Sequence, residues 1–404
     1  MISYMKGDSV KKKKKKKRGR GEGSIYQRKN GLWAASIQIG TDESGKPIIK
    51  YFYSKEQKEV VNKLNEFKLL QAQGFDKLIS TTLKDYITSW LVNVKFYELK
   101  PLSYDRLEST INNQIIPRLG FYKLDVKNEL TASIIQTELI NKMFAEGYSY
   151  SSIKKAYNAL NGCLKYASKN RQILFNPMET VVMPSETKFE KKEIEILTDD
   201  EIKRFEEACT VKHKNGELVF KIGYGFILIL YTGIRMAEAL ALKWSDVNLE
   251  NKTIKIDSSV VMVKNRKVND NAPKNILIEQ DSTKTQKSKR TIKLCKKAYN
   301  SLVELNKIFN YDKDDYIFQT ANKTPIRPRN LQNTFDAILA RANIGHKGIH
   351  SLRHTFASML FKKKVDVKHV SEILGHADVR ITYQTYIHLI QEQKDSAIDL
   401  LDEE

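Results

Sequence analysis

Thr232-Gly-Ile-Arg-Met-Ala-Glu238 follows the apolar run Phe226-Ile-Leu-Ile-Leu-Tyr231, and its acidic residue stands three places after Arg235. The run reads as a helix that delivers Arg235 at its far end. Taken alone, Arg235 is no more than a charge flanking a helix. Outward from it, three further strings follow in order: His350-Ser-Leu-Arg353, Leu374-Gly-His376 and Thr385-Tyr-Ile-His388. Together they supply two guanidiniums, three imidazoles, of which His350 and His376 are the candidates, and a phenol, a set suited to chemistry on a phosphodiester.

A phosphodiester under attack gathers negative charge on its non-bridging oxygens, and two arginine forks can hold both with charge-assisted hydrogen bonds. Arg235 and Arg353 are the candidates. Each such bond contributes about 1.5–3 kcal/mol, so a preorganised pair lowers the barrier by several without any metal. Tyr386 is then the candidate nucleophile. A free phenol titrates near pH ~10 and needs neighbouring cations or an imidazole base, which His350 and His376 can supply. Attack would leave a phosphotyrosyl bond whose energy later reseals a strand, so breaking and rejoining would need no ATP.

The arrangement resembles the tyrosine recombinase family, the integrases of phages and conjugative elements. Thr-Gly-Ile-Arg235 with Glu238 and Ala241-Leu-Lys-Trp-Ser-Asp246 is similar to that family's first arginine segment, His350-x-x-Arg353 to its second, and Leu374-Gly-His376 with Thr385-Tyr386-Ile-His to the nucleophile segment. The family also uses a lysine on a turn between strands. In Asp281-Ser-Thr-Lys-Thr-Gln-Lys-Ser-Lys-Arg290 the best match is Lys284, with Lys287 and Lys289 nearby. The resemblance implies that Tyr386 forms a 3′-phosphotyrosyl link, that Lys284 is general acid to the leaving 5′ oxygen, and that Glu238 is the supporting acid. Tyr383 lies close enough to Tyr386 to share its helix face but lacks the flanking pattern.

Other readings of the same residues are weaker. His350 and His354 sit four apart and, with His376, could hold a metal. No His-Glu-x-x-His pattern or cysteine pair completes such a site, so no metal or other cofactor is expected. His354 and His388 read as structural or supporting. A carboxylate on the scissile phosphate would repel it, so Glu238 reads as a buried partner that orients an imidazole or guanidinium.

The charge points the same way. Lys+Arg number 69 against 48 Asp+Glu, a net +21 that draws the chain to polyanions and makes binding salt-sensitive. Ribosomal or membrane-surface roles would explain charge equally well; the motifs decide between them. At 404 residues with 41% hydrophobic composition the chain can bury two or three cores. Its apolar runs fall short of the ~18 residues needed to cross a bilayer, and Met1-Ile-Ser-Tyr-Met5 lacks a signal peptide's apolar core. Cys163, Cys209 and Cys295 have no Cys-x-x-Cys spacing and read as reduced packing residues of a cytoplasmic protein.

The expected fold is α+β and multidomain. Residues 1–22, with the run Lys11 to Lys17, read as a basic tail. Residues 23–75 read as three strands and a helix: Ser24 to Arg28 and Leu32 to Ile39 flank the Asn30-Gly31 turn, and Trp33, Ala35, Ile37 and Ile39 alternate onto one face. Ile48 to Tyr53 is the third strand. Ser54 with Gln57 is a plausible capping box for a helix carrying Val60, Val61, Leu64, Phe67 and Leu70. Residues 80–183 read as an all-α domain with Leu83, Tyr86, Ile87, Trp90, Leu91 and Val94 at helical spacing and Ser103 and either Ser149 or Ser151 as caps. Residues 184–195 read as a linker, 196–390 as a mainly α domain with a small antiparallel sheet and Lys284 at its last hairpin, and 391–404 as a C-terminal tail. The tract Lys264 to Lys274 reads as an insertion in a loop, and His350, Arg353, His376 and Tyr386 are expected on helices.

The resemblance implies an arm-site DNA-binding role for 23–75, a SAM-like core-binding role for 80–183, and a tail that docks on a neighbouring subunit. Gln27, Arg28, Lys29, Lys154 and Lys155 are the candidate DNA contacts. The implied partners are double-stranded DNA at core and arm sites, a homo-tetramer on that DNA, an excisionase and a host DNA-bending protein. An N-terminal module of this kind speaks for a mobile element over an Xer-type resolvase, and, with the close motif match, against a monomeric type IB topoisomerase. The six matched positions speak against a non-catalytic DNA-binding regulator.

Overall fold

The structure, a computed structural model, describes residues 22–41, 44–72, 81–124, 129–190, 194–267, 272–281 and 289–387. Lys284 and Lys287, the basic tail to Gly21, and His388 with the C-terminal tail lie outside the described residues. These residues divide into two compact units, within Met1–Leu99 plus Arg106–Phe189 and within Lys100–Asp105 plus Glu190–Glu404. Among the described residues no helix is long and apolar enough to cross a membrane.

In the first unit, β1 (Ser24–Gln27), β2 (Trp33–Thr41) and β3 (Pro47–Ser54) form an antiparallel sheet in that order, with α1 (Gln57–Ala72) against one face. Ala35, Ile37, Val60 and Leu64 make its small core. Ile39 is 40% exposed, contrary to the alternation, because a register shift between Gln38 and Gly40 breaks the period of two. The expected capping box at Ser54 is also replaced: its hydroxyl accepts from the Glu56 N–H and donates to Glu59 instead of pairing with Gln57. On the open face, Arg28 lies 4.6 Å over the Tyr53 ring, which stacks beside Tyr51.

Further along this unit, α2 (Leu83–Trp90) continues into a π-turn, Leu91–Lys95; α3 (Pro101–Thr110) follows, its residues up to Asp105 counted with the second unit and those from Arg106 with the first. Ser103 lies inside α3 and does not cap it, since Pro101 already fixes the backbone for the first turn. The Ser149 hydroxyl does cap α4 (Tyr150–Lys169), whose Ile153, Ala156, Leu160, Cys163 and Leu164 are buried. The charged stretch after Pro184 holds one aromatic anchor, Phe189, whose ring meets Phe144 and Tyr150 edge-on.

In the second unit, Thr198 and Glu201 form a capping box at the start of α5 (Asp199–Cys209). Helix α6 (Gly223–Thr232) is apolar all round and accordingly buried. Its glycines permit this: a Cβ on Gly223 would lie 1.9 Å from the Cys209 carbonyl oxygen, and one on Gly225 2.7 Å from Phe318. The helix stops at Gly233, which is left-handed (φ 63°) and presses on Phe356. The chain then turns into the short α7 (Met236–Ala239), which puts Arg235 at the junction.

The expected single sheet is two. One has β4 (Val247–Asn248), β5 (Thr253–Ile256) and β8 (Arg290–Lys293), with β5 central; the other is the hairpin of β6 (Ser258–Lys264) and β7 (Asn275–Asp281). Lys264 and Lys274 flank that hairpin's turn. Helices α8 (Lys296–Phe309), α9 (Pro328–Arg341), α10 (His350–Lys362), α11 (Val367–Leu374) and α12 (Val379–Thr385) complete the unit. Phe205, Phe226 and Phe335 meet at the centre of its core.

Candidate active site

Helix α10 begins at His350 and carries Arg353 and His354 one turn further on. Helix α11 ends at Gly375, which is left-handed (φ 67°), and His376 follows in the turn before α12 rather than on a helix. Tyr386 is the residue that caps α12 at its C-terminal end. Three arginines from distant parts of the chain converge on the end of α11. Arg290 Nε donates to the Ile373 carbonyl (2.7 Å), Arg353 Nη2 to Leu374 (2.8 Å) and Arg235 Nη2 to Gly375 (3.1 Å). Terminal carbonyls have no partner inside their own helix and sit at the negative end of its dipole, so cations gather there.

Glu238 is 4% exposed and works from below this cluster. Oε1 accepts from Arg235 Nη1 (2.7 Å) and Arg290 Nη1 (3.1 Å); Oε2 accepts from Arg290 Nη2 (2.9 Å) and the Arg235 backbone N–H (2.8 Å). Burial pushes its carboxyl up, but the Arg290 hydrogen bonds and the charges of Arg290 and Arg235 override that and hold it at about 2. It therefore orients guanidiniums, as its charge required. Arg353 is 2% exposed, its other fork nitrogen bonded to the Gly233 carbonyl (2.8 Å), whereas the Arg235 side chain is 35% exposed. Of the two expected phosphate ligands, Arg235 is the one open to solvent.

Burial, followed by the charges of neighbouring histidine and arginines, lowers His350 to about 4. His376 falls to about 3 through burial and then Arg353 and Arg235. Both rings are neutral at pH 7. His376 Nδ1 lies 2.6 Å from the hydroxyl of the fully buried Thr382, whose carbonyl accepts the Tyr386 N–H. Thr382 thus ties the orientation of the imidazole to that of the tyrosine.

The depressed values set a pH dependence. Each group's folded pKa is below its unfolded 6.5, so its neutral state stabilises the fold above 6.5, and that contribution is lost as the pH falls toward 4 for His350 and 3 for His376. Imidazole proton shifts of the DNA-free protein should stay at neutral-ring values down to about pH 5, and the urea midpoint should fall between pH 6.5 and 4. Ordinary titration near 6.5 at both rings would contradict this.

Tyr386 is 1% exposed, packed on Phe361, Ala357, Val370 and Leu374. Burial raises its phenol to about 12, against the opposing charge of Arg353. Its oxygen lies 2.7 Å from His354 Nδ1, in a hydrogen bond whose direction is set by the tautomer of the imidazole. Tyr383 is 38% exposed on the outside of α12, so the two tyrosines do not share a setting.

The structure thus brings Arg235, Glu238, His350, Arg353, His376 and Tyr386 into one cluster. Arg290 and the contact of His354 with the phenol are additions. The spacing of His354 four residues after His350 already put it on the same helix face. For Arg290 no separate signal was read, since it stood only at the end of the stretch Asp281 to Arg290, which was read for its lysines. Gln27, Arg28, Lys29, Lys154 and Lys155 are exposed in the first unit, away from this constellation in sequence. Gln27 Nε2 donates to the Gly31 carbonyl (3.1 Å), and Lys154 lies 5.3 Å over the Tyr150 ring.

Comparison with known proteins gives the class. The model of the phage integrase family matches residues 195–393, and that of the phage integrase N-terminal SAM-like domain matches 82–144. A tyrosine recombinase XerC-like protein of Caldanaerobacter subterraneus is 30% identical over 394 residues, covering 93% of this chain and 97% of its own. The Tn1549 transposon integrase, solved with a circular intermediate DNA, shares the fold with a TM-score of 0.59 at 19% identity, over 79% of this chain and 100% of its own. A lambda integrase tetramer bound to a Holliday junction does so with 0.54 at 16%, over 91% and 96%.

The chain belongs to the phage integrase family of tyrosine recombinases. It is a site-specific recombinase that breaks and rejoins DNA strands.

Proposed function

We propose that this recombinase integrates and excises a mobile element, with Tyr386 as nucleophile. The observation that carries the residue assignment is the gathering of Arg235, Arg353, His376 and Tyr386 around one helix end. Arg235, already open to solvent, and Arg353, once Tyr386 has left its pocket beside it, hold the non-bridging oxygens, and His350 and His376 orient the phosphate as neutral imidazoles. The Tyr386 oxygen attacks phosphorus, its proton passing to a neutral imidazole, and the bond from phosphorus to the 5′ oxygen breaks. That oxygen takes a proton from Lys284 and leaves as a 5′ hydroxyl. A phenol that is 1% exposed cannot meet a DNA backbone in place, so Tyr386 leaves the His354 pocket when DNA binds.

The transposon integrase of like fold supports the mobile-element reading, and the lambda tetramer supports strand exchange by four subunits through a four-way junction. The XerC-like relative aligns over nearly the whole chain, so length alone does not separate this protein from proteins of that name. Residues 23–75 bind arm sites through their sheet, with Gln27, Arg28 and Lys29 beside its first turn, and 80–183 bind the core site with Lys154 and Lys155. An excisionase and a host DNA-bending protein set direction, and the tail after residue 390 docks on a neighbour.

The test is covalent trapping. The protein is incubated in EDTA with nicked duplexes from the DNA flanking its gene, and a protease-sensitive slow band is expected on a denaturing gel. Specific binding with no such band on verified sites would overturn the reading.

A further inference from the structure

We propose that Arg290 is a positioning residue of the recombination reaction, neutralising Glu238 so that the Arg235 guanidinium keeps its charge for the scissile phosphate. The inference rests on the reading of Arg235 as a phosphate ligand. Glu238 is shared between two guanidiniums, and the sharing is unequal. Arg290 spans both oxygens (3.1 and 2.9 Å), is anchored by its Nε on the Ile373 carbonyl (2.7 Å), and has a side chain 8% exposed. Arg235 reaches one oxygen with one nitrogen and leaves part of its fork in solvent.

The charges sum accordingly. Arg235, Arg353 and Arg290 against Glu238 leave two positive charges, which suits a phosphodiester gaining a second negative charge as the phenol adds. Without Arg290, the nearest cation to the buried carboxylate is Arg235, and the pair becomes neutral. In so dry a place the carboxylate does not stay unpaired. Backbone geometry reserves room for this arrangement: a Cβ on Gly375 would lie 2.9 Å from Arg290 Nη1.

Four full-length variants test it on nicked duplex: Arg290→Gln, Arg290→Lys, Glu238→Gln and the double Glu238→Gln/Arg290→Gln. Arg290→Gln should bind DNA normally yet form the covalent complex on the order of 10²-fold more slowly. Arg290→Lys, which keeps the charge but not the fork, should lose about tenfold or less. The decisive result is the double variant. Removing the carboxylate as well frees Arg235 again, so cleavage should recover at least about tenfold over Arg290→Gln.

A merely architectural role predicts the reverse, with the double variant as slow as the single or slower, and that result would overturn the proposal. If Arg290→Gln does not fold, Arg290→Lys decides: activity near wild type supports the charge argument, and loss of on the order of 10²-fold sinks it. Absence of cleavage by the wild type would instead count against the nucleophilic mechanism itself, so the two failures are distinct.

Discussion

Tyr386→Phe binds core DNA as the wild type does and forms no covalent complex: this is the largest effect expected of any single substitution. The ring fills the same pocket against Phe361, so packing is kept. The loss is one hydroxyl and its bond to His354 Nδ1, which costs about 1–2 kcal/mol of stability. Chemistry has no such margin, because no other atom of that side chain can bond to phosphorus. Tyr383→Phe is the matched control and should cleave normally, since its ring points to solvent. A covalent band that survives in Tyr386→Phe and disappears in Tyr383→Phe would reassign the nucleophile.

Arg235→Ala and Arg353→Ala should both slow cleavage by about 10²–10³-fold or more, yet differ in what they do to the fold. In Arg235→Ala the carboxylate of Glu238 still has Arg290 on both oxygens, so little stability is lost. Arg353→Ala strips the buried carbonyls of Gly233 and Leu374 of a shared donor and opens a cavity between α6 and α11. Each orphaned carbonyl costs about 1–3 kcal/mol. The melting temperature should then drop by roughly 10 °C, while Arg235→Ala melts within a few degrees of wild type. Calorimetry beside the trapping gel checks both, and equal melting temperatures would show that the buried fork is not a structural tie.

Much of the site was legible because its logic is local. Arg235 with Glu238 and His350 with Arg353 are each joined by a turn or by helical spacing, and a linear reading captures such pairs. Local alternation also gave the three N-terminal strands, until the irregularity at Gln38 and Gly40 turned Ile39 outward. Ser54 was misassigned because several acceptors lay within reach and sequence does not rank them. The division of the later strands into two sheets was hidden for a different reason: pairing partners are chosen by tertiary packing, and β5 pairs with β8 across the whole β6–β7 hairpin. Arg290 was hidden likewise. Its partners Glu238 and Ile373 lie far off on either side in sequence, and only the folded chain brings them together.

The three arginines are gripped by the peptide oxygens of Ile373, Leu374 and Gly375, not by side chains at those positions. Heritable variation can therefore alter residue 373 while leaving the handholds intact, as long as the helix still ends there; Leu374 is held besides by its packing with Tyr386. The reverse holds for anyone grafting this chemistry onto another scaffold. Copying the arginines, histidines and tyrosine would transfer the tools without their bench; what must travel with them is a helix terminus of the right length, aimed at the right spot.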